Sequence, residues 1–201
     1  MATQPKSTTA AGSGQSLLAL YPERERTALE GLYLSQDLRR CRRRDHPFVY
    51  SNFISSLDGR IAVADPGSRE PEIPPETANP RDWRLLLELA APADALIVSG
   101  RYVRQLAEGS AQALPPLQGD VAPDILAFRE ALGLPAQPVL VVVSNSLDLP
   151  MEVLLRDGPR PVILVTSDAA AVKPARQLGG EHVEVIRVGD EHVEGAHLVA
   201  A

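Results

Sequence analysis

The sequence predicts an α/β fold, a three-layer arrangement around a mostly parallel sheet, and three observations predict it. Continuous apolar runs such as Val139-Leu140-Val141-Val142-Val143 and Val162-Ile163-Leu164-Val165 suit parallel strands covered on both faces. From Ala95 onward, such runs alternate with segments of helical spacing, the order that builds layered α/β domains. Three of the strands end in small polar groups, at Ser99-Gly100-Arg101, Ser144-Asn145-Ser146 and Thr166-Ser167-Asp168, so a shared carboxyl edge would form a ligand crevice.

Residues 1–15 are rich in Thr, Ser, Ala and Gly, have little to bury and are expected to be a disordered tail. Gly12-Ser13-Gly14 follows no strand and lacks a third glycine, so it is no dinucleotide fingerprint. Residues 16–46 read as an N-terminal helix and basic linker. From Pro22 to about Arg43, Leu29, Leu32, Tyr33 and Leu38 can share a helical face while Glu23, Arg24, Glu25 and Arg26 stay wet. The basic run Arg39 to Arg44 is read as a solvated helix end favoured by the dipole, in preference to an anion or docking site.

Residues 47–201 form the main domain. Phe48-Val49-Tyr50-Ser51-Asn52-Phe53-Ile54 reads as a first buried strand, and the proline- and glutamate-rich stretch from Val63 to Asn79 as an irregular loop of the kind that covers substrates. Asn79-Pro80-Arg81-Asp82 then opens a helix, with Asn79 as N-cap, Pro80 at the first position and Asp82 in the first turn. Trp83, Leu86, Leu87 and Ala90 would be its buried stripe. Strand Ala95 to Val98 leads into a helix near Tyr102 to Ala107, and a proline-rich linker into a helix from Pro123 to Leu132. Strand Pro138 to Val143, a short helix near Met151 to Arg156, strand Pro161 to Thr166, a helix from Asp168 to Leu178 and strand His182 to Val188 complete the pattern.

Composition narrows the function classes. The 201 residues suit one domain with a substantial core, and with 4% aromatics that core rests on Leu, Val, Ile and Ala. A formal charge of −6 and a pI near 5.3 argue against nucleic acid as a partner, since phosphate neutralisation needs a basic face. Anionic ligands must therefore be met by local arginines. Cys41 is alone, so neither an internal disulfide nor a cysteine zinc site is available, and His46, His182, His192 and His197 lack metal spacing. No apolar run approaches the roughly 20 residues that span a membrane, and no signal peptide opens the chain. The expectation is a cytoplasmic protein without metal or membrane partner.

Two segments carry chemistry. Ser55-Ser56-Leu57-Asp58-Gly59-Arg60-Ile61-Ala62 follows the first apolar run; Asp58-Gly59 is first a turn signal, and one that places a carboxylate and two hydroxyls at a sheet rim. At Ser99-Gly100-Arg101, small residues let backbone N–H groups approach a phosphate, the following helix adds its dipole, and the arginine supplies an anion contact. An ordinary βα connection with a solvated arginine would read the same. Taken singly, Asn145 makes turns, and Ser167 or Asp168 caps a helix.

The segments Phe53 to Ala62, Arg81-Asp82-Trp83-Arg84-Leu85-Leu86 and Ala93-Asp94-Ala95-Leu96-Ile97-Val98 resemble, in order and spacing, the reductase domain of bacterial riboflavin biosynthesis. The resemblance runs from about Pro47 to the C-terminus, and Asn52 ahead of the motif is similar to the stand-alone pyrimidine reductases. No deaminase accompanies it, since the cysteine pairs and His-x-Glu of that zinc site are missing. The resemblance implies a dihydrofolate-reductase-like fold, NADPH as cofactor, and reduction of the ribosyl group of 5-amino-6-(5-phosphoribosylamino)uracil, a phosphorylated pyrimidine, to ribityl. It implies that Asn52 and Ser56 bind substrate, that Asp58 is catalytic through a proton, that Gly100, Arg101, Ser144, Thr166 and Ser167 hold the dinucleotide, and that the protein is a homodimer. Tyr102 stands where the family has a threonine, and Ser110 to Gln118 has no counterpart of the family's Asp-x-Pro segment. The family pattern also continues into a Glu-Gly-Gly turn, so the domain is expected to be incomplete at its C-terminus. Two alternatives accompany the reductase reading: a non-catalytic binding module of the same fold, and a reductase of another pterin or pyrimidine.

Overall fold

In a computed structural model of the chain, the described residues are 15–43, 46–64, 71–72, 79–115, 117, 122–154, 160–172 and 182–200. They belong to two compact units, one ending at Pro92 and the other beginning at Ala93. The tail expected over residues 1–15 lies, apart from Gln15, outside the described residues.

The first unit opens with a hairpin in which β1 (Ser16–Ala19) pairs antiparallel with β2 (Glu25–Ala28), Ser16 opposite Ala28 and Ala19 opposite Glu25. The helix expected from Pro22 to Arg43 is therefore corrected to a strand followed by turns. Gly31 at φ 82° and Asp37 at φ 45° are left-handed, which no α-helix accommodates, and only 3-10 turns form at Leu34–Gln36 and Leu38–Cys41. Leu29, read as part of a helical stripe, is buried by the hairpin's continuation, its N–H bonding Gln15 O at 3.0 Å. In the basic run Arg40 pairs with Asp37 at 2.5 Å and Arg39 donates to Pro92 O at 2.8 Å.

The first strand expected over Phe48 to Ile54 is also corrected: these residues form no strand, and Phe48, Val49, Tyr50 and Phe53 are exposed. An apolar run becomes a strand only when a neighbour takes its backbone hydrogen bonds, and no described strand pairs with this one. Within the expected loop, β3 (Val63–Ala64) and β4 (Pro71–Glu72) make a two-residue antiparallel ladder. Helix α1 (Pro80–Ala90) starts as its sequence dictates, the Asn79 side chain accepting from Arg81 N and Asp82 N at 3.0 Å each. Leu87 and Ala90 are buried on it, Trp83 and Leu86 half-buried.

The second unit is a four-stranded parallel sheet in the order β5 (Ala95–Ser99), β6 (Val139–Val143), β7 (Val162–Thr166), β8 (Val183–Arg187), with helices, the predicted three-layer α/β arrangement. Its register places Val98, Val142, Leu164 and Val185 in one row, with Leu96, Leu140, Val162 and Val183 in another on the same face. These residues, with Val103 and Leu106 of α2 (Gly100–Glu108) and Met151 and Leu154 of α4 (Met151–Leu154), make the main core. On the opposite face the rows are shallower, and Ile97 is 48% exposed.

Helix α2 ends at Gly109, φ 74°, with Ser110 N bonding Gln105 O at 2.9 Å, and α3 (Pro123–Ala131) ends at Gly133, φ 68°, with Leu134 N bonding Arg129 O at 2.9 Å. Both are glycine stops of the Schellman type. Arg129 is fully buried and ties α3 to the entrance of β5, donating to Pro135 O at 2.7 Å and Ala93 O at 2.9 Å. The helix expected from Asp168 to Leu178 is described only as a 3-10 turn, Ala169–Val172; the remainder lies outside the described residues. A final helix that the sequence pattern did not indicate, α5 (Gly195–Ala200), follows β8. No described helix is long and apolar enough to cross a membrane.

Candidate functional site

The carboxyl ends of β5 and β6, the first turn of α2 and the turn after β8 enclose a cleft of about 420 Å³. Its lining is Ser99, Gly100, Arg101, Arg104, Val143, Ser144, Asn145, Ser146, His192 and Val193. Parallel pairing of β5 and β6 brings the first two small polar strand ends together, as expected of a crevice at the carboxyl edge.

Each wall has a local cause. Ser99 caps α2, its hydroxyl accepting from Tyr102 N at 3.2 Å, which turns the helix's first residues toward the cleft. A β-carbon on Gly100 would lie 2.7 Å from Ser144 Oγ, so only glycine lets the two strand ends approach this closely. Ser144 Oγ accepts from Leu147 N at 3.2 Å, and Ser146 Oγ from Asp148 N at 3.3 Å, folding the post-β6 turn back on itself. Arg104 donates to Asp148 O at 3.2 Å and so fastens α2 to that turn. Val188-Gly189-Asp190 reverses the chain after β8: Gly189 sits at φ 83°, where a β-carbon would meet His192 O at 2.5 Å. Asp168 N and Ala169 N hold this turn through Gly189 O and Asp190 O, both at 2.9 Å.

The cleft's polarity is one-sided. Arg101, Arg104 and His192 line it with three hydroxyls and an amide, and no carboxylate is among the lining residues, although the whole chain carries a charge of −6. That donor set fits the phosphates of a dinucleotide. Gly100, Arg101 and Ser144 thus meet in one place. Thr166 and Ser167 do not join them: both are fully buried at the end of β7 and do not line the cleft, and their hydroxyls have no hydrogen-bond partner among the described residues.

Tyr102 donates its hydroxyl to Gln112 O at 2.6 Å. Burial pushes this phenol up to about 12, against a smaller lowering by Arg160. It therefore stays a neutral donor and does no acid-base work at neutral pH.

In the first unit, Ser56 to Arg60 forms a tight turn: Gly59 N bonds Ser56 O and Ser56 N bonds Arg60 O, each at 2.9 Å, with Gly59 at φ 82°. The turn reading of Asp58-Gly59 is thereby met, though not at a strand's end. Ser56 Oγ donates to Asp58 Oδ1, and Arg60 Nε lies 3.2 Å from Asp58 Oδ2. Asp58 and Asn52 are both exposed. A separate cleft of about 610 Å³ lies between Ile54, Leu17 and the start of α1, where burial raises the Asp82 carboxyl above its ordinary value.

Sequence reasoning did not select Arg104 or His192. Arg104 follows Arg101 by one helical turn, and the Gly189-Asp190 pair marks a reversal at the same sheet edge, so both signals were present without a reason to connect them. Among the described residues, no three His, Cys, Asp or Glu side chains gather as metal ligands would.

A search of the curated proteins finds no significant match. The RibD C-terminal domain, in contrast, matches residues 47–200, starting at the Pro47 boundary expected from the sequence. That span covers the Ser55 to Ala62 turn, the capped helix and all four parallel strands, and the chain belongs to the RibD C-terminal domain family, the dihydrofolate-reductase-like reductase domain of riboflavin biosynthesis.

Proposed function

We propose that this protein is an NADPH-dependent pyrimidine reductase of riboflavin biosynthesis, reducing the ribosyl group of 5-amino-6-(5-phosphoribosylamino)uracil to ribityl. The observation that carries the reading is the cleft at the ends of β5 and β6, with two arginines and a histidine, close-approach glycine and no carboxylate, in a chain of this family.

Gly100, Arg101 and Ser144 would hold the dinucleotide, with Arg104 as a further donor; Thr166 and Ser167, buried at the end of β7, do not line that cleft. When bound, NADPH supplies the hydride. Asn52 and Ser56 would contact the pyrimidine substrate. Asp58 would be the proton-handling group, oriented by the Ser56 hydroxyl on one carboxylate oxygen and by Arg60 on the other. The protein's contribution is alignment and charge compensation.

Calorimetric titration of the full chain with NADPH, followed by turnover of the phosphoribosylamino-pyrimidine monitored at the nicotinamide absorbance, tests the reading. Saturable NADPH binding with turnover, lost in Asp58→Asn while binding survives, is the expected result. Folded protein that binds no NADPH overturns it in favour of a non-catalytic module; binding without turnover on the pyrimidine, but with turnover on a pterin, moves the substrate assignment.

A further inference from the structure

Resting on that cofactor reading, we propose that His192 is a phosphate-binding residue of the cleft, and that its imidazole makes cofactor affinity proton-linked. Three independent features of the fold bring it there. The Gly189 reversal leaves no room for a β-carbon against His192 O, so the turn's path is set by backbone contact. Two backbone hydrogen bonds, Asp168 N to Gly189 O and Ala169 N to Asp190 O, fix that turn to the end of β7. The cleft wall it contributes faces the wall made by Arg101 and Arg104 of α2 and by Ser144, Asn145 and Ser146 after β6.

His192 makes no hydrogen bond or ion pair with a described residue, and it shares the cleft with two arginines, three serines and an asparagine. The charged groups around it are unevenly placed. Arg101 and Arg104 share the cleft lining with it, whereas Asp190, Glu191 and Glu194 of its own turn do not line the cleft, and Glu194 lies 3.8 Å from His197 of α5. An arriving phosphate brings negative charge beside the imidazole and favours the imidazolium, which then donates to it. Binding therefore takes up a proton at the ring.

The test is titration calorimetry of the folded full chain with NADPH in two buffers of different ionisation enthalpy, from pH 6 to 8.5, for the wild type, His192→Asn and His192→Arg. The expected wild-type result is net proton uptake at pH 7 and an affinity that falls about five- to tenfold from pH 6 to pH 8. His192→Asn should lose the uptake and bind weakly throughout, and His192→Arg should bind as the wild type does at pH 6 but without the histidine's pH dependence. NADH, lacking the 2′-phosphate, separates that group's own titration from the protein's: uptake retained with NADH assigns His192 to the pyrophosphate, and uptake lost assigns it to the 2′-phosphate. Equal proton uptake in wild type and His192→Asn overturns the inference while leaving the cofactor reading intact. Absence of NADPH binding in the wild type overturns both.

Discussion

Gly100 and Ser144 approach so closely that a β-carbon on the glycine would sit 2.7 Å from the serine's Oγ and 2.9 Å from its Cβ. Two parallel strands thereby share one cleft floor, and the third close neighbour, Leu149 Cδ2 at 3.1 Å, belongs to the main core. Gly100→Ala keeps an allowed helical backbone, so its whole effect is steric. The expected outcome is a loss of about 1–3 kcal/mol in urea unfolding and at least tenfold weaker NADPH binding. The double variant Gly100→Ala, Ser144→Gly should recover most of the stability but not the binding; recovery of neither would refute the steric account.

Thr166 tests the buried end of β7. Its hydroxyl is fully buried with no partner among the described residues, so Thr166→Val, which replaces it with a methyl of similar shape, should leave the protein unchanged or about 1 kcal/mol more stable in urea unfolding. Because the residue does not line the cleft, the same variant should leave NADPH affinity unchanged. A clear loss of stability would show that the hydroxyl is satisfied in the folded protein, and weakened NADPH binding would show that the ligand reaches the end of β7.

Glu88 is a buried carboxylate that organises the first unit. It accepts from Gly31 N at 2.6 Å and Tyr33 N at 2.9 Å, and Arg84 Nε lies 2.8 Å away. Glu88→Ala strands two backbone donors and a guanidinium, for an expected cost of about 3 kcal/mol or more. Glu88→Gln retains shape and one acceptor and should cost less, about 1–2 kcal/mol. Chemical denaturation measures both, and an alanine variant within 0.5 kcal/mol of the wild type, about the scatter of surface changes, contradicts the anchoring role.

Tyr102 should make the protein alkali-sensitive. Burial raises its folded-state value to about 12 from the ordinary 10.0. For an acid so shifted, the folded state holds its proton longer than the unfolded state does, so the stabilisation is complete below pH 10 and is lost as pH rises toward 12. With its partial exposure, a decline of about 2 kcal/mol over that window is expected. Tyr102→Phe should remove it; equal slopes for both proteins in urea unfolding at pH 9 and pH 11 would count against the burial effect.

The second unit, and α1 in the first, were legible from sequence because their signals are local. Val139 to Val143 and Val162 to Thr166 are apolar runs that need covering on both faces, the Asn79-Pro80 cap starts α1 without tertiary help, and the residues after each strand are small because the chain must turn there. The Ser55 to Ala62 motif likewise identified the family from its own residues. The first unit was misread where long-range contacts decide. Leu29, Leu32 and Tyr33 carry a helical spacing, but the segment is shaped by Glu88, more than fifty positions away, bonding Gly31 and Tyr33. Phe48 to Ile54 carries a strand pattern, but a strand exists only where another backbone completes its ladder.

The same division runs through the site. Its small polar strand ends and Arg101 are written in order along the chain, because turns and anion contacts draw on few residue types. Sequence by itself therefore determined the family, the parallel sheet and the edge where the small polar ends of β5 and β6 meet. Tertiary structure alone decided that Gly100 must be glycine against Ser144, that His192 joins Arg101 and Arg104 in one cleft, and that Thr166 is sealed in with a hydroxyl that no described residue partners. The physical reason is that close approach and burial are properties of pairs of distant residues, and become visible only when the strands that carry them are laid side by side.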